Sequence, residues 1–293
     1  MKADTTEKAT RPDQHHTGLA ISAIIPSLEG TAAWLRCPRC SLDLAATGEL
    51  TLGCLNGHRF DANKRGYLNT VDSSRGILGD PRPILEARAA FLALGHYEPI
   101  AELIASGLPD TATLSIVDSG CGTGYYLQSA LDARPGATAL ALDVSAAAVA
   151  ISVAATGASG VVADVWRPLP IRTGIADAVL CVFAPRNSAE FARVLSPGGR
   201  LLVITPRQNH LMELRDAGQV IGIQADKVDA LDATLATDFT LLSRVRREYT
   251  RELDVAARTL VATMGPTGHH ELERVTAGGQ VTIAVDLSVY TAR

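Results

Sequence analysis

Three cysteines and a histidine near the start of this chain are spaced as metal ligands are. Cys37 and Cys40 flank Pro38-Arg39; after thirteen intervening residues, Cys54 and His58 flank Leu55-Asn56-Gly57. A C-x2-C turn lets two thiolates reach one ion without strain, and Zn²⁺ takes four N or S ligands at tetrahedral corners. Gly53 and Gly57 give the second knuckle the tight turns it needs. The segment between the knuckles, Gly48-Glu-Leu-Thr-Leu-Gly-Cys54, reads as a short strand, so the whole is a zinc ribbon. Five cysteines in 293 residues, with no convincing secretory segment, argue against a disulfide framework. The other two, Cys121 and Cys181, read as packing residues rather than nucleophiles.

A second chemical signal follows about sixty residues later. Asp118-Ser-Gly-Cys-Gly-Thr-Gly124 is a glycine-rich turn of the kind that leaves a first strand and lets backbone approach a ligand closely. Gly120, Gly122 and Gly124 give G-x-G-x-G, whereas pyrophosphate-binding dinucleotide folds use G-x-G-x-x-G. The loop opens on a carboxylate, Asp118, which suits a cationic, phosphate-free cofactor; S-adenosylmethionine fits both facts. Asp143, nineteen residues past Gly124, ends the next strand where a carboxylate accepts from ribose hydroxyls. Asp164, after the third strand, is placed for the adenine amine. Methyl transfer from a sulfonium is an in-line displacement, in which the protein's main contribution is alignment. Val182-Phe-Ala-Pro-Arg-Asn187, after the fourth strand, lacks the Asn/Asp-Pro-Pro-Tyr box used on exocyclic amines.

Alternating elements must position these groups. Strands are predicted at Leu114–Asp118, Thr138–Asp143, Gly160–Val165, Ala176–Phe183 and Arg200–Thr205, with helices at Tyr125–Ala133, Ala146–Ala155 and Ser188–Leu195. That alternation implies a parallel, doubly wound α/β sheet. Ser196-Pro-Gly-Gly-Arg200 reads as a turn before the fifth strand. Phe239–Glu248 and Val281–Tyr290 read as two more strands around a helix at Asp254–Thr263. Before the sheet, Pro83–Leu94 has helical periodicity and Ile100–Ser106 begins another helix. Phe60–Asn69 and the polar run to Pro83 read as a linker. The domain division is then a tail over 1–30, a zinc-ribbon RNA-recognition domain over 31–75 and a cofactor domain over 76–293, the ribbon being separable from the rest.

Composition allows a packed core, with 47% hydrophobic residues but only 4% aromatic. No apolar run approaches the ~20 residues of a membrane span. Gly18–Pro26 is too short and lacks a cleavage pattern, and a reduced zinc ribbon is expected in the cytoplasm. Net charge is −4, which is not that of a broad nucleic-acid binder. From Thr31 to Arg82, however, seven Lys/Arg face five Asp/Glu, a local net of +2. Arg59, Lys64 and Arg65 are among these cations. The charge permits RNA binding without demanding it.

The order of short blocks is specific. Cys37–Cys40, Cys54–Asp61, Gly66–Asn69, Ala87–Leu92, Gly95–Tyr97, Gly122–Tyr126, Phe183–Asn187, His210–Leu214 and Met264–Pro266 together resemble the 23S rRNA guanine-N1 methyltransferases of the RlmA/TlrB type. The likeness covers about residues 34–290 and leans toward the Gram-positive, macrolide-resistance branch. It implies a class I S-adenosylmethionine-dependent methyltransferase, with a Rossmann-like seven-stranded sheet behind an N-terminal zinc ribbon. It also implies 23S rRNA as partner, a guanine of the hairpin 35 loop as target, no membrane, and room for a homodimer. Carried over by position, the Zn²⁺ ligands are Cys37, Cys40, Cys54 and His58. Cofactor contacts fall on Tyr97, Tyr126, Leu127 and His210, beside Asp118, Gly120, Gly122, Gly124, Asp143 and Asp164. Departures are the long tail, Ser119 and Thr267-Gly-His-His270. Guanine N1 must lose a proton to be methylated, so a base or acceptor is needed near it; Asn187 and His210 are the reachable candidates, and Phe183 the platform for a flipped guanine. Two rival readings stay open: a methyltransferase for tRNA or a small molecule, and a non-catalytic zinc-ribbon RNA-binding protein.

Overall fold

The computed structural model describes residues 26–71, 79–220, 227–265 and 274–293. Most of the tail, the Gly18–Ile25 stretch and Thr267–His270 lie outside the described residues. Eleven strands are found among those described: β1 (Ala45–Gly48), β2 (Thr51–Gly53), β3 (Arg59–Asn63), β4 (Tyr67–Asn69), β5 (Ser115–Ser119), β6 (Thr138–Asp143), β7 (Ser159–Val162), β8 (Ala176–Val182), β9 (Leu195–Pro206), β10 (Phe239–Leu253) and β11 (Gly279–Ala292). They pair in the order β1-β2-β3-β4-β7-β6-β5-β8-β9-β11-β10. The helices are α1 (Leu28–Trp34), α2 (Arg82–Ala93), α3 (Glu98–Gly107), α4 (Tyr125–Ala133), α5 (Ala146–Thr156), α6 (Ser188–Val194), α7 (Met212–Asp216), α8 (Lys227–Leu235) and α9 (Val255–Thr263).

The seven strands from β7 to β10 form the expected Rossmann-like sheet. It is mixed: β7, β6, β5, β8 and β9 run parallel, while β11 lies antiparallel to both β9 and β10. The central strands are buried on both faces, which is why Ala139–Leu142 and Val179–Val182 read as unbroken apolar runs. Local chemistry fixes the helix ends. Ser145 accepts the Ala148 amide to start α5, and Gly157, at φ 68°, lets the chain leave it. Asp254 caps α9 in the same way, through the Ala257 amide.

Three expectations need correction. The stretch over Phe60–Asn69 is not a linker: β3 and β4 form a hairpin, and β4 joins the main sheet parallel to β7, with Leu68 opposite Val161. The expectation failed because a three-residue strand is too short to show periodicity. Residues 72–78 of the same run lie outside the description. Ser27 caps α1 by accepting the Gly30 amide, so helix begins within the span expected to be tail. Ser196–Gly199 is drawn into β9, whose Leu195 pairs with Ala176.

The two faces of the sheet are covered differently. On one face α2, α3, α4, α5 and α9 pack against strand residues such as Ile116, Leu202 and Val285. On the other, the β7–β8 connection contains no helix, and the N-terminal segment lies there instead. Trp34, Leu35, Leu44 and Leu52 share a core with Val117, Leu140, Val161 and Val179. Leu35, Leu44 and Leu52 are each at most 1% exposed; at about 1.5–3 kcal/mol per buried side chain they bind the ribbon to the sheet firmly. Polar contacts line the same seam. Leu35 bridges Ile171, and the Arg172 guanidinium donates to the carbonyls of Ala32, Leu35 and Leu44 at 3.2, 3.0 and 2.9 Å. Ribbon and cofactor domain therefore share one hydrophobic core. No helix among the described residues is long and apolar enough to cross a membrane.

Candidate functional site

The ribbon gathers Cys37, Cys40, Cys54 and His58 so that their ligand atoms all lie within 4.8 Å of one another. Cys37 Sγ and Cys54 Sγ stand 3.5 and 3.4 Å from His58 Nδ1, and Cys40 Sγ stands 3.6 Å from Cys54 Sγ. With Zn–S near 2.3 Å and Zn–N near 2.0 Å, a tetrahedron has edges of about 3.5–3.8 Å, so the donor set fits one zinc ion. The knuckle is held by its own backbone. The Cys54 amide donates to the His58 carbonyl, and Gly57, left-handed at φ 78°, donates to the Cys54 carbonyl. Gly53 is needed because a Cβ there would come within 2.9 Å of the Thr47 methyl.

The ribbon cations are not equivalent. Arg36 faces inward, with its Nε on the Leu169 carbonyl at 3.2 Å and Glu190 at 3.7 Å. Arg59, Lys64 and Arg65 are exposed. Lys64 and Arg65 occupy the β3–β4 turn, beside Tyr67, which pairs with Gly160. That is the N-terminal end of the parallel strands, opposite the end that carries Asp143 and Asp164.

At the C-terminal ends of β5, β6 and β7 the structure brings together the predicted cofactor residues. Gly120, Gly122 and Gly124 have φ of 82°, 50° and 79°, a region other residues enter at a cost. A Cβ on Gly120 would lie 2.4 Å from the Ala184 Cβ, and one on Gly124 would lie 2.7 Å from Ser152 Oγ. The Gly122 amide donates to Asp143 Oδ2 at 3.1 Å and the Ser145 amide to Oδ1 at 2.9 Å. Asp143 thus shapes the loop through both of its carboxylate oxygens. Asp118 is 3% exposed, and no described donor reaches its carboxylate. Burial and then the Asp143 charge push it up to about 7. A buried carboxylate without a partner, facing a glycine cradle, fits a cationic ligand. The Ala163 amide donates to the Asp143 carbonyl, which sets Asp164 beside it; Asp164 Oδ1 takes the Trp166 amide at 3.0 Å.

Sequence reasoning gave Arg88 no role. Its guanidinium bonds Asp80 at 2.5 Å and the Met264 carbonyl at 2.6 Å, and it lies against Gly122. One cation thus joins the segment before α2, the glycine loop and the end of α9. Its only sequence signal is the Ala87–Leu92 block.

Tyr97, Phe183 and His210 form an aromatic cluster after β8. Ring centroids are 6.5 Å apart for Tyr97–Phe183 and 5.9 Å for Phe183–His210. The Ala284 amide donates to His210 Nδ1 at 3.2 Å, so the ring proton sits on Nε2, which donates to the Tyr97 hydroxyl at 3.2 Å. Burial and then Arg215 lower His210 to about 4, so the ring is neutral near pH 7. With its one lone pair occupied, His210 is not a proton acceptor for a substrate. Asn187 is similarly committed. Its Oδ1 caps α6 and its Nδ2 donates to the Val165 carbonyl at 2.8 Å. Phe183 is left-handed at φ 54° and 41% exposed. A bulky residue held in that conformation is strained, and strain of this kind collects at functional sites. Leu127 is fully buried, and Tyr126 packs edge-on against Tyr125. Cys121 and Cys181 are buried. The Cys181 thiol, pushed up to about 12 by burial, lies 3.4 Å from the Ala184 carbonyl.

Residues 117–203 match the sequence signature of a methyltransferase domain. The chain is 40% identical over 81% of its length to a Streptomyces fradiae protein named 23S rRNA (guanine(748)-N(1))-methyltransferase, 86% of which it covers. It is 34% identical, over 80% of its length and 87% of the relative's, to a Micromonospora griseorubida protein provisionally named a 23S rRNA (guanine-N(1)-)-methyltransferase. Among solved structures, the methyltransferase chain of a Haloferax volcanii complex with the Trm112 activator superposes with a TM-score of 0.50 at 18% identity. That match covers 73% of this chain and 99% of the other, and bears on the fold alone.

Proposed function

Because this chain belongs to the 23S rRNA (guanine-N1) methyltransferase family, we propose that it methylates N1 of a guanine in the hairpin 35 loop of 23S rRNA. S-adenosylmethionine supplies an electrophilic methyl group on a sulfonium. Asp143 accepts from the ribose, Asp164, whose Oδ2 lies 3.9 Å from Arg167 Nε, meets the adenine amine, and the Asp118 carboxylate faces the cationic end. Tyr97, its oxygen engaged by His210, keeps its own hydrogen for an acceptor in the site. The target guanine, flipped from the RNA, stacks on Phe183 at the end of β8; N1 takes the methyl group, its proton leaves to solvent, and the sulfonium departs as the neutral thioether S-adenosylhomocysteine. The zinc ion is structural: three thiolates and one imidazole close its coordination shell and leave no position for chemistry.

The observation that carries this reading is the buried, unpartnered Asp118 at the mouth of a glycine cradle, in a chain with that family likeness. Methylation at N1 removes the Watson–Crick edge, so reverse transcriptase stops one nucleotide short of the modified base. Expression in a host lacking the modification is expected to create that stop in hairpin 35. A Gly122→Asp variant, which fills the cradle beside Arg88, is expected not to. Methylation of tRNA instead, with no stop in hairpin 35, overturns the substrate and keeps the cofactor chemistry.

A further inference from the structure

One segment joins the zinc ribbon to the cofactor site, and it carries the most exposed aromatic side chain among the described residues. Its start, Ala163, is bonded to Asp143, and Asp164 follows. Val165 is buried and its carbonyl is held by Asn187, the residue that ends the Phe183 loop. From Leu169 onward the segment belongs to the ribbon seam. The Leu169 carbonyl accepts from Arg36 and Arg193, Pro170 accepts the Arg36 amide, and Ile171 bridges Leu35. Between these two anchored ends stands Trp166, 66% exposed, with its amide fixed to Asp164 Oδ1 at 3.0 Å. Arg167 beside it is 65% exposed.

A large indole left in water has no structural task here. Trp166 adds little to the core, and the backbone that holds it makes its hydrogen bonds without the ring. The anchoring sets Trp166 after β7, at the same C-terminal end of the parallel strands as Phe183 after β8, beside Arg167 and between the ribbon seam and the proposed methyl-transfer site. Unpaired bases stack on such rings, and adjacent guanidinium groups add to the contact. We infer that Trp166 is a stacking platform for an unpaired nucleotide next to the target guanine, holding the RNA loop between the ribbon and Phe183.

This rests on the reading of an RNA substrate given above, and the two fail differently. Use the full-length zinc-loaded protein and a 23S rRNA fragment containing hairpin 35. Trp166→Ala is expected to raise the KM for this RNA about tenfold, within the range for loss of one stacking aromatic, with S-adenosylmethionine affinity unchanged. Trp166→Phe is expected to recover most of the loss, because it keeps a ring. The chain has two tryptophans, and Trp34 is buried, so the fragment is expected to quench wild-type fluorescence but not that of Trp166→Phe. If wild type methylates the fragment and Trp166→Ala does so with the same KM, or if the quench survives in Trp166→Phe, the platform is overturned and the substrate stands. If Trp166→Ala changes only the sedimentation of the protein, the indole faces a second copy of the chain and the inference is again wrong. If wild type leaves the fragment unmethylated and unbound, the substrate reading fails and the platform with it.

Discussion

One face of the sheet is covered by helices alone and the other by the ribbon beside α6 and α8, and the two solve the same packing problem by different means. The helical face buries side chains from five helices that begin and end on local signals such as Ser145 and Gly157. The ribbon face has no helix after β7 and covers Val117, Leu140 and Val161 with Trp34, Leu35, Leu44 and Leu52. Trp34 closes the short helix α1, and the leucines come from β2 and the irregular segments before β1. The four ligand side chains gather the turns, and Arg172 donates to three carbonyls of this segment. A zinc ion at Cys37, Cys40, Cys54 and His58 would do for the ribbon's turns what hydrogen-bonded helices do for the other face.

Metal removal is the strongest way to break this symmetry. The purified chain is expected to contain about one zinc. Chelation, or Cys54→Ser, should lower the stability of the whole chain by on the order of 5 kcal/mol or more, since structural zinc sites supply about 10–16 kcal/mol of apparent binding energy. Calorimetry is expected to show one transition moved downward. A separate early transition, with the main one unmoved, would mean that the ribbon is a detachable unit after all.

The helical side has its own weak point in His210, which is buried and neutral. The unfolded chain binds a proton near pH 6.5 and the folded chain only near pH 4. His210 therefore contributes fully above pH 6.5, and stability falls as the pH drops from there toward 4. The loss is about 3 kcal/mol over that window. Denaturant titrations at several pH values should show this slope in the wild type and a flatter one in His210→Gln. Equal slopes would refute the role given to the imidazole.

The seam itself is tested by Arg172→Ala, expected to cost about 2 kcal/mol because three partly buried carbonyls lose their donor. Arg82→Ala is the control: its ion pair with Glu86 is 79% and 60% exposed, so a change within about 0.5 kcal/mol is expected. A loss at Arg172 no greater than at Arg82 would leave the seam to the apolar core, the β4–β7 pairing and the Arg36 contacts.

Much of this was legible in the chain because the signals are local. Four metal ligands fall within Cys37–His58, and three glycines fall within Gly120–Gly124. In both cases the short-range backbone geometry is itself the requirement, so spacing along the chain reports it directly. α4 and β6 begin and end where their patterns place them, since a buried parallel strand must be apolar throughout and its helix must follow at once. The misses share a cause. β4 is three residues long and owes its place to β7, which lies far away in sequence. Arg88 gains its role only when Asp80 and Met264 meet it. His210 looked like a base by residue type, and a backbone amide from β11 took its lone pair.

The sequence alone settled which atoms were available: a zinc donor set, a cradle with carboxylates at two strand ends, and a core rich in aliphatic side chains. Only the tertiary structure decided that the ribbon is part of the core, that Lys64 and Arg65 lie at the end of the sheet opposite Asp143, and that Trp166 stands exposed between ribbon and site. The division follows from range. Turn geometry and periodicity are set by neighbours a few residues apart, whereas burial, protonation and hydrogen-bond commitment depend on whichever distant segment fills the remaining space.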